Sequence, residues 1–485
     1  MSASDARCTR RLLLGIQLIV LLCAGYFFGG ASDNQRSRLY AMYTFVEPGT
    51  DDTGTFRIDR FRQPHGRSDT VDWAFHDGHY YSNKAPGSIW LGTLAYAPLV
   101  LFERALDVSY AAPRVALVDA YLINLAVSVL PLVLGAGAMF SLASSLGAGP
   151  VHAAWVALAT TLGTLWFPYS TQLWGHTTAA AWTALALVQV QRATPRSALL
   201  AGLTAGLAVC TDYLAIISAL AVTVWLALRR PRLLPQLALG ALPALLGLLT
   251  YHALCFGNPL ATASQMSNPK VLSQGLALGM FGTISLPALW KLTLGVDRGL
   301  FVHCPVLLLS ALGFCFWIKR APREPLPYVC ILAFVAYLAA NASFNGWHGG
   351  ATVGARYLIC ALPFLGIALA TLPRSAVITW LAAGLTALST LNMLAIAAVS
   401  PLAPENHANP LYAHTYAFFF QGALTPWALA IRGMDLDPSW PRLKLLSMCN
   451  LGELLGLSGL ASLLPLLGAV LAVAVMLLNR SEPSA

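Results

Sequence analysis

The sequence predicts an all-α polytopic membrane protein with about 12 transmembrane helices, in a range of roughly 11 to 13. Of its 485 residues, 57% are hydrophobic and only 10% are charged, whereas soluble proteins carry roughly 25% charged residues. Apolar runs of about 20 residues, the length that crosses a bilayer as a helix, recur along the chain. Backbone amides in hydrocarbon need partners within the protein, so these runs are expected to be helices rather than open strands.

Lysine and arginine residues gather in short clusters between the apolar runs. Few acids accompany them, as expected for cytoplasmic loops under the positive-inside rule. The clusters are Arg7/Arg10/Arg11, Arg192/Arg196, Arg229/Arg230/Arg232, Lys319/Arg320/Arg323, Arg374 and Arg480. Both termini are therefore predicted on the cytoplasmic side. Outside residues 31–88, the basic residues behind the net charge of +9 mostly belong to such clusters, so nucleic acid is not expected as a partner.

The apolar segments between these clusters have to cross the membrane in pairs. They are Leu12–Phe28, Val115–Leu146, Val151–Pro168, Leu173–Val190, two spans within Ala198–Leu228, Leu233–Leu254, Leu300–Ile318, Leu326–Ala340, Tyr357–Leu372, Ile378–Val399 and Leu457–Leu478. The run Ile89–Phe102 breaks the pairing. At about 14 residues it is short for a span, so it is expected to re-enter the membrane or to lie in the interface.

Residues 1–485 are predicted to form a single integral membrane domain, in which 31–88 is the first outer loop and 400–455 is the last large one. The first loop has enough polar and aromatic residues for interfacial helices packed on the bundle. Most acids and histidines fall in the outer loops, whereas the cytoplasmic loops hold little beyond lysine and arginine. Any chemistry is therefore expected on the outer face.

Several short motifs occur in a fixed order along the outer loops. They are Asp33, Arg38-Leu39-Tyr40-Ala41, Asp77-Gly78, Tyr81, Lys84-Ala85-Pro86, Asn258-Pro259-Leu260, Arg298-Gly299-Leu300-Phe301, Asn345-Gly346-Trp347-His348-Gly349-Gly350 and Gly354-Ala355-Arg356-Tyr357-Leu358. In this order they resemble the GT-C superfamily of membrane glycosyltransferases. The resemblance is to the branch with protein mannosyltransferases, the aminoarabinose transferase of lipid A and RgtA/B/C/D-like enzymes. Two positions depart from that pattern, because Asn34 replaces a second acid and Ala85 replaces a proline.

The resemblance implies an enzyme of the bacterial inner (plasma) membrane, active on its periplasmic or extracellular face and surrounded by membrane lipids. It would move a sugar from a polyprenyl-phosphate-linked donor to a hydroxyl of a glycan, lipid or protein acceptor, without cofactor or metal. The acceptor must lose a proton as it attacks, so a carboxylate base is needed, and Asp33 is predicted to be it. The departing phosphate needs cations, for which Lys84, Arg298 and Arg356 are predicted.

Further candidates for the substrate site lie in the same motifs or at the outer ends of spans. They are Arg38, Tyr40, Asp77, Tyr81, His176, Asp212, Trp347, His348 and Tyr357. Several of the candidate residues also have a purely structural explanation. An acid at a helix end is often only solvated, Asp77 and Asp72 suit turns, Lys84 and Arg356 suit interfacial anchoring, and Asp212 suits a helix cap.

Two other classes of function stay open at the level of sequence. A transporter or lipid flippase would need polar residues through the bundle, for which Asp119 and Asp212 are available, but no internal repeat of the kind common in transporters is visible. A non-catalytic GT-C relative is compatible with Asn34. The glycine-rich stretches lack the spacing of a nucleotide loop, and the nine cysteines include no CxxC pair, so no metal site is predicted.

Overall fold

The computed structural model describes residues 3–30, 32–48, 51–61, 70–109, 113–268, 276–277, 279–405, 407–424 and 449–479. This part of the chain is predominantly helical, which confirms the predicted all-α membrane fold. The α-helices are α1 (Ala3–Gly25), α2 (Asp33–Val46), α3 (Gly87–Ala105), α4 (Pro113–Asn124), α5 (Leu130–Ser145), α6 (Pro150–Thr161), α7 (Trp166–Ser170), α8 (Gly175–Arg192), α9 (Pro195–Thr211), α10 (Ile216–Arg229), α11 (Leu234–Phe256), α12 (Leu286–Thr293), α13 (Leu300–His303), α14 (Leu308–Arg320), α15 (Leu326–Ser343), α16 (Leu362–Gly366), α17 (Ala376–Val399), α18 (Tyr416–Phe420), α19 (Leu451–Leu454) and α20 (Leu464–Asn479).

Short stretches of tighter or wider helix extend several of these elements. The 3₁₀ segments are Asp59–Phe61, Tyr213–Ala215, Pro231–Leu233, Pro305–Leu307, Arg356–Ala361, Ile367–Thr371 and Gly459–Leu463, and the π segments are Leu125–Val129 and Pro410–Thr415. Proline starts several of the 3₁₀ segments, where its missing N–H costs no helical hydrogen bond. The π segment Leu125–Val129 joins α4 to α5 into one continuous helix.

Six helical stretches in the described part of the chain are long and apolar enough to cross a bilayer. They are Arg7–Gly25, Val115–Ser145, Pro231–Phe256, Leu326–Ser343, Ala376–Val399 and Gly459–Leu478. Shorter apolar helices, such as Tyr213–Arg229 and Arg356–Thr371, stand between them in the bundle. The number of crossings therefore stays a prediction, while the membrane-protein character is confirmed.

The predicted cytoplasmic turns and the predicted outer loops meet at opposite ends of the bundle. At one end, Arg229 Nη2 lies 3.4 Å from Glu324 Oε2, which joins two of the basic turns. At the other end, the backbone N–H of Gly29 donates to Thr171 O at 2.8 Å, which joins two outer segments. The direction of each helix relative to the membrane stays a prediction from the charge pattern.

Helix α3 contains the run whose placement was ambiguous, Ile89–Phe102, and packs alongside α2. Gly92 has no room for a Cβ because the Met42 side chain fills that space, and Tyr96 OH donates to Glu47 Oε1 at 2.9 Å. Helix α2 thus packs on α3 within and next to the predicted first outer loop. Whether Ile89–Phe102 re-enters the membrane or lies in the interface, and whether α2 is one of the predicted interfacial helices, stay predictions.

Two small antiparallel sheets accompany the helices, and neither is predicted from the sequence. Strand β1 (Phe27–Phe28) pairs with β4 (Cys449–Asn450). Strands β2 (Trp73–His76) and β3 (His79–Ser82) form a hairpin. Its turn is Asp77-Gly78, with φ of 49° and 81°, the left-handed values that a two-residue hairpin turn requires. Residues 425–448 of the predicted 400–455 loop lie outside the described residues.

Helices α9 and α11 cross in close contact, and small residues make this possible. Gly202 of α9 lies against the carbonyl of Leu237, and Gly240 of α11 lies against the carbonyl of Leu199, so neither position has room for a Cβ. Small residues at such crossings let helix backbones approach and gain van der Waals contact inside a membrane. The packing of α9 on α11 continues toward Asp212, since Cys210 Sγ donates to Ala244 O at 3.2 Å.

Candidate functional site

The candidate base Asp33 is the first residue of α2. The backbone N–H of the preceding Ser32 donates to Gln35 Oε1 at 2.5 Å, which holds the helix start in place. A carboxylate at this position is favoured by the positive end of the helix dipole. Asp33 Oδ1 lies 3.9 Å from Arg36 Nη1, and its side chain is 26% exposed. The charge of Asp33 is therefore stabilised while its carboxylate stays accessible.

A cavity of about 490 Å³ opens in front of the start of α2. It brings together segments that are far apart in sequence: the start of α2, the entry to the β2–β3 hairpin, the turn before α8 and two outer loops. Among the lining residues are Asp33, Asn34, Asp72, Trp174, Gly349, Gly350, Thr352, Arg356 and Glu405. The structure thus places the predicted base Asp33 and the predicted cation Arg356 in one hollow.

Lys84 is joined to this cavity through Asp72. Lys84 Nζ lies 2.9 Å from Asp72 Oδ1, and both side chains are about four-fifths buried. Burial on its own raises the pKa of the Asp72 carboxyl, but the charges of Lys84, Arg356 and Arg38 outweigh burial and hold this pKa below its usual value. Burial lowers the pKa of the Lys84 amino group, and Asp72 opposes that change. Asp72 is therefore an anion held among cations.

Arg38 is a buried cation on the inner side of α2. Its Nε donates to Ser88 Oγ at 2.9 Å, and its Nη1 donates to Asn34 O at 2.9 Å and to Asn34 Oδ1. Burial lowers the pKa of its guanidinium to about 10, and Asp72 opposes that change, so Arg38 remains charged at neutral pH. Asn34, which replaces a second acid of the GT-C pattern, is therefore a hydrogen-bond acceptor for Arg38.

Arg356 is held between two aromatic rings at the wall of the cavity. Its guanidinium carbon lies 4.5 Å from the centre of the Trp174 ring and 4.6 Å from that of Tyr357. Its Nη2 donates to Tyr357 OH at 2.9 Å. Its Nε is buried and finds no hydrogen-bond partner among the residues that the structure describes. Stacking fixes the plane of a guanidinium, and a fixed guanidinium is suited to bidentate binding of a phosphate.

Arg298 lies behind the cavity and is only 2% exposed. Its guanidinium donates to the carbonyl oxygens of His348 at 2.7 Å, Gly350 at 3.0 Å and Glu405 at 3.2 Å; Thr352 O is a further acceptor. All three of its nitrogens are thus occupied by backbone carbonyls. This geometry disfavours the phosphate contact predicted for Arg298. It instead favours a structural role, in which Arg298 holds the loop that lines the cavity.

His176 and Asp212 form a buried pair where α8 begins and α9 ends. His176 Nδ1 lies 2.5 Å from Asp212 Oδ2, while Asp212 Oδ1 accepts the N–H of Leu214 at 3.1 Å. The second contact caps the following helix, as the structural alternative for Asp212 predicts. The His176 ring meets the Tyr357 ring edge-on at 5.3 Å, so the pair supports the residue that follows Arg356.

Three of the other candidates, Tyr40, Tyr81 and Asp77, are not among the residues that line the cavity. Tyr40 is buried and stacks on Phe61 at 4.2 Å. Tyr81 is buried and packs edge-on against Phe256 at 5.6 Å. Asp77 is exposed at the hairpin turn with a left-handed backbone. These positions favour packing roles for Tyr40 and Tyr81 and the turn role for Asp77.

Trp347 and His348 lie on the loop that Arg298 shapes. Lys291 Nζ is 5.6 Å from the centre of the Trp347 ring. His348 Nδ1 lies 3.4 Å from Glu405 Oε1 and accepts the N–H of Gly350 at 3.1 Å. Because Glu405 and Gly350 line the cavity, His348 stands at its margin.

Asp72, considered from the sequence chiefly as a turn residue, and Trp174 line the cavity without having been predicted as site residues. A signal for Asp72 was present, because the Asp77-Gly78 turn sets the register of the hairpin. In that register Trp73 pairs with Ser82, which brings Asp72 and Lys84 together at the open end. For Trp174, no local pattern indicates that it will stack on an arginine more than 180 residues away.

No protein-family model matches the chain, and no curated protein matches its sequence. Solved structures with a similar fold include two of the protein ArnT. The crystal structure of ArnT from Cupriavidus metallidurans in the apo state has 15% sequence identity, covering 99% of this chain and 78% of that one, with a TM-score of 0.48. The structure of the same protein bound to undecaprenyl phosphate has 15% identity, covering 97% and 76%, with a TM-score of 0.47.

At 15% identity the likeness concerns the course of the backbone. The roles of individual side chains therefore depend on the contacts described above.

Proposed function

We propose that the chain is a glycosyltransferase that moves a sugar from a polyprenyl-phosphate donor to an acceptor hydroxyl. The acceptor is a glycan, lipid or protein. We place the reaction at the outer, periplasmic or extracellular, face of a bacterial inner membrane. The basic turns at the opposite end of the bundle support this orientation.

One observation supports this assignment above the others. The Asp33 carboxylate and the Arg356 guanidinium line the same cavity, which combines a base with a phosphate-binding cation. Both lie at the end of the bundle that the charge pattern assigns to the outer face. A donor whose lipid tail stays in the bilayer would present its phosphate at this level.

The reaction needs one proton acceptor and one site for negative charge. The Asp33 carboxylate takes the proton of the acceptor hydroxyl as its oxygen forms a bond to the anomeric carbon. The bond between the anomeric carbon and the phosphate oxygen breaks, and its electron pair leaves with the phosphate. Arg356 binds the phosphate oxygens, whose negative charge grows during this step.

The other cations have distinct tasks in this scheme. Lys84 adds positive charge next to the phosphate position, and Asp72 holds it there through their 2.9 Å ion pair. Arg38 fixes Asn34 beside Asp33. Arg298 keeps the loop of Gly350 and Thr352 at the cavity wall through its carbonyl contacts.

Membranes containing the protein provide the test, incubated with a radiolabelled sugar on a polyprenyl phosphate. Undecaprenyl phosphate, the ligand of one ArnT structure, is the first carrier lipid to use. We expect label to move to an acceptor in the wild type, and transfer to fall at least about 100-fold in Asp33→Asn at equal expression. Full transfer by Asp33→Asn would exclude its role as base. Movement of the labelled lipid across vesicles without transfer would instead identify a flippase.

A further inference from the structure

A second cavity, of about 480 Å³, lies at the opposite end of the bundle from the candidate site. It is enclosed by α5, α8, α10, α14 and the start of α15. Its polar residues include Ser145, Gln191, Arg192 and Glu324. The cavity therefore sits at the level where the basic turns gather, far from the groups used in sugar transfer.

Hydrogen-bond donors are in surplus around this cavity. Trp225 lines it and is 6% exposed, and its indole N–H has no hydrogen-bond partner within the described part of the chain. The same holds for the side-chain Nε2 of Gln191, whose Oε1 accepts from Ser145 Oγ at 2.5 Å. Buried donors without acceptors are uncommon because each costs the loss of its hydration. Two of them beside one cavity indicate a ligand that supplies acceptor oxygens.

The charges around the cavity favour an anion. Glu324 is the acid in its lining, and it lies 3.4 Å from Arg229, which offsets its charge. Arg192 also lines the cavity, and its Nη1 donates to Gln189 Oε1 at a long distance of 3.4 Å. The net charge around the cavity is therefore positive. The N–H donors of Gln191 and Trp225, which lie beside Arg192, suit phosphate oxygens.

Much of the wall of the cavity is apolar. Leu142, Val188 and Leu326 contribute aliphatic surface, and Trp317 contributes an indole ring. A soluble phosphate would leave this surface unused, whereas a phospholipid covers it with its glycerol and upper acyl carbons. Basic pockets between transmembrane helices at the cytoplasmic side are suited to anionic headgroups for the same reason.

We propose that this cavity binds the phosphodiester headgroup of an anionic phospholipid, with Arg192, Gln191 and Trp225 donating to its oxygens. This site is separate from the candidate active site, and it does not depend on the proposed sugar transfer. Its occupant is a lipid of the surrounding membrane rather than a substrate.

Native mass spectrometry of the purified, delipidated full chain tests this site by titration with phosphatidylglycerol and, separately, phosphatidylcholine. The informative variants are Arg192→Gln, which removes the charge, and Trp225→Phe, which removes only the N–H. Arg196→Gln and Trp290→Phe are matched controls, since Arg196 belongs to the same basic turn and Trp290 is 62% exposed on α12. We expect about fivefold weaker phosphatidylglycerol binding in each informative variant and wild-type binding in both controls.

Equal retention of phosphatidylglycerol by wild type, Arg192→Gln and Trp225→Phe would overturn the proposal. So would equal binding of phosphatidylcholine by the wild type. In a parallel arm, soluble glycerol phosphate should not raise the thermal midpoint; stabilisation by it equal to that by the lipid would identify a soluble ligand instead. Arg192 is exposed, so its variant keeps the test decisive even if Trp225→Phe does not fold.

Discussion

Lys84 and Asp72 form a 2.9 Å ion pair at the open end of the β2–β3 hairpin. Asp72 lines the same cavity as Asp33 and Arg356. The ion pair therefore keeps Lys84, a predicted phosphate-binding cation, next to this cavity. Arg38 and Arg356 act on the same Asp72 carboxylate. The Asp72 carboxylate thus pairs with Lys84 and also offsets the positive charge of Arg38 and Arg356.

Asp72→Asn should therefore lower both stability and sugar transfer. The substitution leaves Lys84 largely buried without its anion, and breaking a buried ion pair in this way costs roughly 3 kcal/mol. We expect a lower thermal midpoint in detergent and reduced transfer in membranes. Asp77→Asn is the control, because Asn also adopts the left-handed backbone of the turn. An Asp72→Asn midpoint equal to that of Asp77→Asn would contradict the ion-pair account.

The contribution of Asp72 to stability should depend on pH in a defined direction. Because its pKa is lowered in the folded protein, its stabilisation is present above the unfolded carboxyl pKa of about 3.9 and is lost as pH falls through the lower folded value. The midpoint difference between wild type and Asp72→Asn should stay constant from about pH 7 to pH 5 and shrink only below about pH 4. A difference that disappears already at pH 5 would be incompatible with a lowered pKa.

Arg298→Met should loosen the loop that lines the cavity. It removes the donors to the carbonyls of His348, Gly350, Thr352 and Glu405, and each buried carbonyl left unpaired costs roughly 1–3 kcal/mol. We expect faster amide hydrogen exchange in residues 345–356, with residues 195–211 of α9 as the internal reference. If the exchange rates in residues 345–356 did not change, Arg298 would not hold the loop, and direct phosphate binding would be the better account of its role.

Two substitutions of Asp212 separate its capping role from its pairing with His176. Asn keeps an oxygen that can accept the N–H of Leu214 but loses the charge, whereas Ala loses both contacts. We expect Asp212→Ala to cost about 1 kcal/mol more stability than Asp212→Asn, the usual value of a cap. The stability of Asp212→Asn should itself be lower than that of the wild type. If Asp212→Asn matched wild type in stability and transfer, the His176 contact would have no role.

Composition and charge pattern were sufficient to predict most of the fold. The apolar runs became helices, and Arg229 contacts Glu324 at 3.4 Å between two of the predicted basic turns. The hairpin was missed, because its strands are four residues long and lie in a loop without a regular apolar pattern. Asp77-Gly78 was interpreted both as a turn and as part of the substrate site, but the strands on either side of it were not predicted.

The candidate site was predictable only where a motif carries the chemistry. The motifs indicated Asp33, Arg356 and Lys84, and these lie in or next to one cavity. Motifs do not show which nitrogens of an arginine are already occupied, so Arg298 could not be distinguished from Arg356. That distinction depends on long-range packing, such as the stacking of Trp174 on Arg356.

Equilibrium binding of undecaprenyl phosphate in nanodiscs, measured alongside sugar transfer, tests the central assignment most directly. We predict that Arg356→Ala binds the lipid at least about tenfold more weakly than wild type, because a charged hydrogen-bond donor is lost. Asp33→Asn should bind it as wild type does and yet transfer no sugar. Wild-type binding by Arg356→Ala, together with full transfer by Asp33→Asn, would contradict a shared site for base and phosphate.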